Sequence, residues 1–145
     1  MISKTASKTD KTVHLFDTFS GMPPTDPEKD VHMEKDFNDT SFESVKFFLK
    51  DCENLKFYPG FFPETAAPVK DKSFSFVHVD VDIYKSVKDC SDFFYTRTTR
   101  GGVIVYDDYG FVSCPGALKG VDEFYTDKPE TPIYIPTGQA FVIKL

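Results

Sequence analysis

SFSFVHVDVDIYKSVKDCSDFFYTRTTRGGVIVYDDY, residues 73–109, is the stretch on which the reading of the fold turns. Two apolar runs, residues 74–81 and 103–106, each end in a pair of aspartates. Asp80 and Asp82 belong to the first, Asp107 and Asp108 to the second. Between the runs lies one helix-sized segment closed by Gly101 and Gly102. Strand, helix, strand at this spacing predicts a βαβ unit with parallel, adjacent strands. Both aspartate pairs then fall at the carboxyl edge of the sheet, where open α/β sheets bind ligands.

Four carboxylates at one edge repel each other, and their clustering is costly without a cation or protons. Carboxylate oxygens are hard donors, suited to Mg²⁺, Ca²⁺ or Mn²⁺. The residues therefore point to a divalent-cation site with one carboxylate to spare as a base. The competing reading is that strand ends collect Asp as turn and cap residues. Two pairs joined by one crossover weigh against it.

Working outward, residues 12–16 (TVHLF) form a short apolar strand followed by Asp17. An acidic residue at that place can accept hydrogen bonds from ribose hydroxyls, or serve as a turn or cap residue. Gly21, Pro23, Pro24 and Pro27 break regular structure, so residues 21–39 read as a long loop, of the length found in functional lids or in disordered segments. That loop carries His32, a loop histidine able to approach a site. Thr40 and Glu43 read as a capping box opening a helix, with Phe42, Val45, Phe48 and Leu49 on its apolar face. Residues 54–58 predict a strand, and residues 61–67 a turn or a single helical turn. After the first aspartate pair a helix is expected over 86–98, capped by Ser86 and stopped by Arg100, Gly101 and Gly102. Residues 115–125 predict a helix, and residues 132–135 and 140–143 a hairpin. The order gives an α/β fold with a mostly parallel sheet and one antiparallel strand near an edge. Residues 1–11 are expected to be flexible, and 12–145 to form a single domain.

The chain of 145 residues holds 16 Phe and 7 Tyr but no Trp, so aromatic rings carry much of the packing. Its formal charge of −6 and lack of a basic run argue against nucleic-acid binding. No apolar run reaches membrane-spanning length, and no secretory h-region is present. Cys52, Cys90 and Cys114 are odd in number and lack metal-type spacing. Free thiols in a reducing cytoplasm are the simplest expectation.

Together these residues resemble the macrocin O-methyltransferase family, which methylates sugar or phenol hydroxyls of natural products using S-adenosylmethionine. The resemblance rests on Phe16-Asp17-Thr18-Phe19-Ser20-Gly21-Met22-Pro23, Asp36-Phe37-Asn38-Asp39-Thr40-Ser41 and Pro59-Gly60-Phe61-Phe62-Pro63-Glu64-Thr65. It continues through residues 76–86, Gly101-Gly102, Asp107-Asp108-Tyr109-Gly110, Gly116 and Val121-Asp122-Glu123-Phe124. It implies a Rossmann-like class I methyltransferase sheet. It places metal ligands, for Mg²⁺ or another hard cation, at Asp80, Asp107 and Asp108. It places the general base at Asp82 and the ribose contact at Asp17. In such enzymes a first strand and a glycine-rich turn precede the Asp17 strand, and here only residues 1–11 do. The usual first strand is therefore expected to be lacking, and S-adenosylmethionine to bind this chain alone poorly. The strand at 12–16 is then expected either to re-pair onto the 74–81 strand or to be covered in a homo-oligomer.

Two classes of function follow. One is a metal-dependent O-methyltransferase-like domain with a small-molecule hydroxyl acceptor. The other is a non-catalytic protein that binds a cation and a small ligand. Asp80-Val81-Asp82 also matches the D-x-D of a glycosyltransferase or an aspartyl-nucleophile phosphatase. Nothing else in the chain supports the first, and the spacing to the second pair argues against the other.

Overall fold

The computed structural model describes residues 2–145, which form two compact units. One comprises the chain up to Pro23 together with Lys35–Pro68; the other comprises Pro24–Glu34 together with Val69–Leu145. A single domain was expected over 12–145.

In the first unit, helix α1 (Ile2–Ala6) stands where flexible chain was expected, and its Ser3 is buried. Strand β1 (Val13–Asp17) precedes helix α2 (Phe42–Phe48) and strand β2 (Leu55–Pro59). β1 and β2 pair in parallel, from Val13 opposite Leu55 to Asp17 opposite Pro59. They form a two-stranded sheet of their own, so of the two alternatives expected for β1, re-pairing onto the 74–81 strand is not found among the described residues. Rings hold this unit: Phe16 stacks on Tyr58 at 4.5 Å, and Phe42 meets Phe19 and Phe57 edge-on. The α2 cap is Ser41, not Thr40, with Ser44 completing the box. A serine hydroxyl at the third helical position does what Glu43 was expected to do, one residue later. Gly21 sits at φ 87°, where an added Cβ would lie 2.8 Å from the Asp36 carbonyl oxygen. The loop closes there through Met22 N–H to Asp36 O and Lys35 N–H to Met22 O. A 3-10 turn, Glu64–Val69, runs through the end of this unit at Pro68.

The second unit holds strand β3 (Phe74–Val79), helix α3 (Tyr84–Tyr95), strand β4 (Thr98–Tyr106), helix α4 (Pro115–Tyr125), and strands β5 (Ile133–Tyr134) and β6 (Ala140–Ile143). The sheet order is β3-β4-β6-β5. β3 and β4 are parallel neighbours, as the crossover length predicts. β6 is antiparallel to both β4 and β5, so β3, β4 and β5 run one way and β6 the other. The alternation along β3 buries Val77 and Val79 and leaves Phe76 and His78 exposed. Ile104, Tyr106 and Val142 are likewise buried. Helices α3 and α4 pack against each other closely, because Gly120 admits the backbone of Tyr84 and the side chain of Val87. A buried hydroxyl chain links Ser91, Tyr106 and Tyr125 at 2.9 and 3.2 Å, satisfying groups that burial would otherwise penalise.

Two boundaries differ from expectation. α3 begins at Tyr84 rather than 86, and its N-cap is Ile83, which offers no side-chain acceptor. Asp30, from the 24–34 segment, accepts the Tyr84 N–H at 2.8 Å and does the capping from a distance. The helix also stops at Tyr95, because Phe74 already pairs with Thr98. Between the Phe74–Thr98 and Phe76–Val103 pairs the β4 strand bulges, with Gly101 at φ 76°. No helix among the described residues is long and apolar enough to cross a membrane. All three cysteines are free.

Candidate active site

β3 and β4 end level with each other, Val79 opposite Tyr106, and the Asp107 N–H donates to Val79 O at 2.9 Å. Asp80 and Asp107 therefore leave the sheet side by side, and Asp108 follows one residue deeper. Asp108 is buried at 7% exposure. Beyond Asp80 the chain turns sharply: Ile83 N–H donates to Val81 O, and Asp82 takes the left-handed conformation at φ 56°. Such a torsion costs a non-glycine residue about 1–3 kcal/mol and persists where surrounding structure enforces it. Here the Asp82 N–H donates to Asp108 Oδ2 at 3.1 Å, tying the two strand ends together.

Asp80, Asp82 and Asp108 each present a carboxylate oxygen, and these lie within 4.8 Å of one another. Burial, and next the Asp82 charge, push the Asp108 carboxyl up to about 6. Burial, and next the Asp80 charge, raise Asp82 as well. Three hard oxygen donors crowded this closely match the preference of Mg²⁺ or Ca²⁺, and a cation would relieve the repulsion. Asp107 is turned elsewhere. Its Oδ1 accepts from Gln139 Nε2 and lies 3.4 Å from His78 Nε2. The structure thus brings together two of the three expected metal ligands, Asp80 and Asp108, with the expected base, Asp82. His78 and Asp107 meet because strand alternation puts both on the same face.

Two further side chains border the cluster. The Cys114 thiol, one residue before α4, donates to Asp82 Oδ1 at 3.6 Å, and His32 Nε2 lies 3.6 Å from the same sulfur. His32 was legible only as a loop histidine, and Cys114 only as a free thiol. Asp30 escaped the sequence reading altogether. Gly116 is its counterpart: an added Cβ there would sit 1.9 Å from Asp30 Oδ1. In the other unit, Asp17 ends β1, and its Oδ1 accepts the Phe19 N–H at 2.7 Å in a local turn.

The chain matches the family model for macrocin-O-methyltransferase (TylF) over residues 1–133. It is 28% identical over 126 residues to demethyldecarbamoylnovobiocin O-methyltransferase of Streptomyces niveus, covering 79% of this chain and 47% of that protein. It is 28% identical over 123 residues to mycinamicin III 3''-O-methyltransferase of Micromonospora griseorubida, covering 75% and 48%. The chain thus spans about half the length of the curated relatives it matches. Among solved structures, the O-methyltransferase NovP superimposes with a TM-score of 0.83 at 24% identity, over 99% of this chain and 64% of that one. The calicheamicin methyltransferase CalS11 gives 0.78 at 14% identity, over 98% and 65%. These two likenesses show the fold: a methyltransferase α/β architecture. Because the family model extends over nearly the whole sequence, the chain belongs to the macrocin O-methyltransferase (TylF) family.

Proposed function

We propose that the carboxyl edge of β3 and β4 serves divalent-cation-assisted methylation of a hydroxyl on a sugar or another small natural-product molecule. The observation that carries this reading is the convergence of Asp80, Asp82 and Asp108, two of them with raised carboxyl pKa values. The named relatives, both O-methyltransferases, support the reaction class. Asp80, Asp107 and Asp108 would hold the cation, Mg²⁺ by the hardness of the donors. Asp107 would join them on leaving its Gln139 partner. A cation held there would supply Lewis-acid assistance, orienting the acceptor oxygens and lowering the hydroxyl pKa. Asp82 takes the hydroxyl proton on its carboxylate, and its raised pKa brings it nearer the range suited to a general base. S-Adenosylmethionine, when bound, supplies an electrophilic methyl group. Asp17, at the carboxyl end of β1, is this chain's residue toward its ribose. A cytoplasmic setting, with the three thiols reduced, completes the proposal.

Calorimetric titration with MgCl₂, and with S-adenosylmethionine in its presence and absence, tests the site. Asp80→Asn and Asp108→Asn should each weaken Mg²⁺ binding by about tenfold or more. Asp82→Asn should abolish methyl transfer while Mg²⁺ still binds. Unchanged Mg²⁺ affinity in both ligand variants would remove the cation from the reading. Cation binding without any methyl transfer to sugar or phenol acceptors would favour the non-catalytic binding protein instead.

A further inference from the structure

The acid cluster does not account for His32 and Cys114, which approach Asp82 from its other side. His32 lies in the 24–34 segment, Asp82 in the turn after β3, and Cys114 at the start of α4. They come from positions far apart in the chain, yet one donor atom from each lies within 4.8 Å of the others. The sulfur is 3.6 Å from both the His32 nitrogen and the Asp82 oxygen. Zinc bonds thiolate at about 2.3 Å and nitrogen or oxygen at about 2.0–2.1 Å. In a tetrahedron, those bond lengths set the sulfur-to-nitrogen and sulfur-to-oxygen edges at about 3.6 Å. The present spacing already equals those edges.

We propose that His32, Asp82 and Cys114 form a second metal site, selective for a borderline transition metal such as Zn²⁺ or Co²⁺. Thiolate and imidazole favour such ions, whereas the carboxylate cluster beside them favours Mg²⁺. Three protein ligands leave a fourth position for water, the pattern of an open rather than a structural zinc site. Binding displaces the thiol proton, because the thiolate is the ligand. The two sites share Asp82. Occupancy by Zn²⁺ therefore takes away the carboxylate that would accept the acceptor's proton. That consequence rests on the function proposed above; the binding itself does not.

Co²⁺ titration of the full chain, followed in the near-ultraviolet, tests the site directly. A thiolate-to-cobalt charge-transfer band should appear in the parent protein and vanish in Cys114→Ser. His32→Ala should weaken Co²⁺ binding by about tenfold or more. Mg²⁺ affinity should be unchanged in both variants. Absence of the band in the parent, or its survival in Cys114→Ser, would overturn the proposal. Should Cys114→Ser fail to fold, His32→Ala carries the test alone, and undiminished Co²⁺ affinity there would refute the site. A parent protein that binds Co²⁺ through Cys114 but does not bind Mg²⁺ would count against the proposed function and leave this site standing.

Discussion

Asp108→Asn should make the protein more stable. Asp108 is buried, and its carboxyl is raised from 3.8 to about 6 by burial and then by the Asp82 charge. A carboxyl whose folded value is raised costs the folded state nothing well below its unfolded value. It carries the full cost once the pH exceeds the folded value. At about 1.4 kcal/mol per unit, the cost is about 3 kcal/mol at pH 7.5 and about 1 kcal/mol at pH 4.5. Asparagine removes the charge and keeps an oxygen for the Asp82 N–H. Some desolvation penalty remains for the amide, so the expected gain at pH 7.5 is about 1–3 kcal/mol, shrinking on acidification. Urea unfolding of both proteins at pH 7.5 and 4.5 measures this. Repeating the pH 7.5 series with millimolar MgCl₂ should stabilise the parent and leave the variant unmoved. A variant less stable than the parent at pH 7.5, or a gain independent of pH, would refute the electrostatic reasoning. A buried carboxylate whose charge weakens the fold is the pattern expected of a functional group.

Other outcomes follow from the packing. Glu130 is buried, and although burial alone would raise its carboxyl, hydrogen bonds from Lys144 and Tyr95 outweigh this and hold it at about 2. Its stabilisation is therefore present above about pH 4.5 and lost as the pH falls toward 2. Glu130→Gln should lower stability at pH 7 by about 2–3 kcal/mol and flatten the acid limb of the urea midpoint. Gly116→Ala should cost about 1–3 kcal/mol in thermal unfolding, because its Cβ would strike Asp30 Oδ1 and the Tyr84 backbone nitrogen. Asp30→Ala should cost about 1 kcal/mol through the lost cap of α3, seen as lower helix content near the melting transition.

The βαβ crossover, the parallel pairing of β3 with β4 and the C-terminal antiparallel pairing were legible in the sequence. They depend on local pattern: apolar runs of strand length, a helix-length spacer, and turn residues at 136–139. The placement of aspartates at one edge follows from the same pattern, since parallel strands of one crossover end on the same side. The motifs around Asp17, Asp80 and Asp107 carried the family resemblance for the same reason, each being contiguous in the chain.

Which aspartates converge was decided by the tertiary structure. Adjacent residues such as Asp107 and Asp108 point apart on a strand end, and sequence spacing alone does not say which one faces Asp80. The left-handed turn at Asp82 swings its carboxylate beside Asp80 and Asp108, while Gln139 and His78 draw Asp107 away. The capping of α3 by Asp30 and the approach of His32 to Cys114 span 54 and 82 positions of chain. No local signal encodes such contacts. They exist because the 24–34 segment folds onto the sheet's own unit, where burial makes a distant carboxylate the acceptor that Ile83 cannot supply.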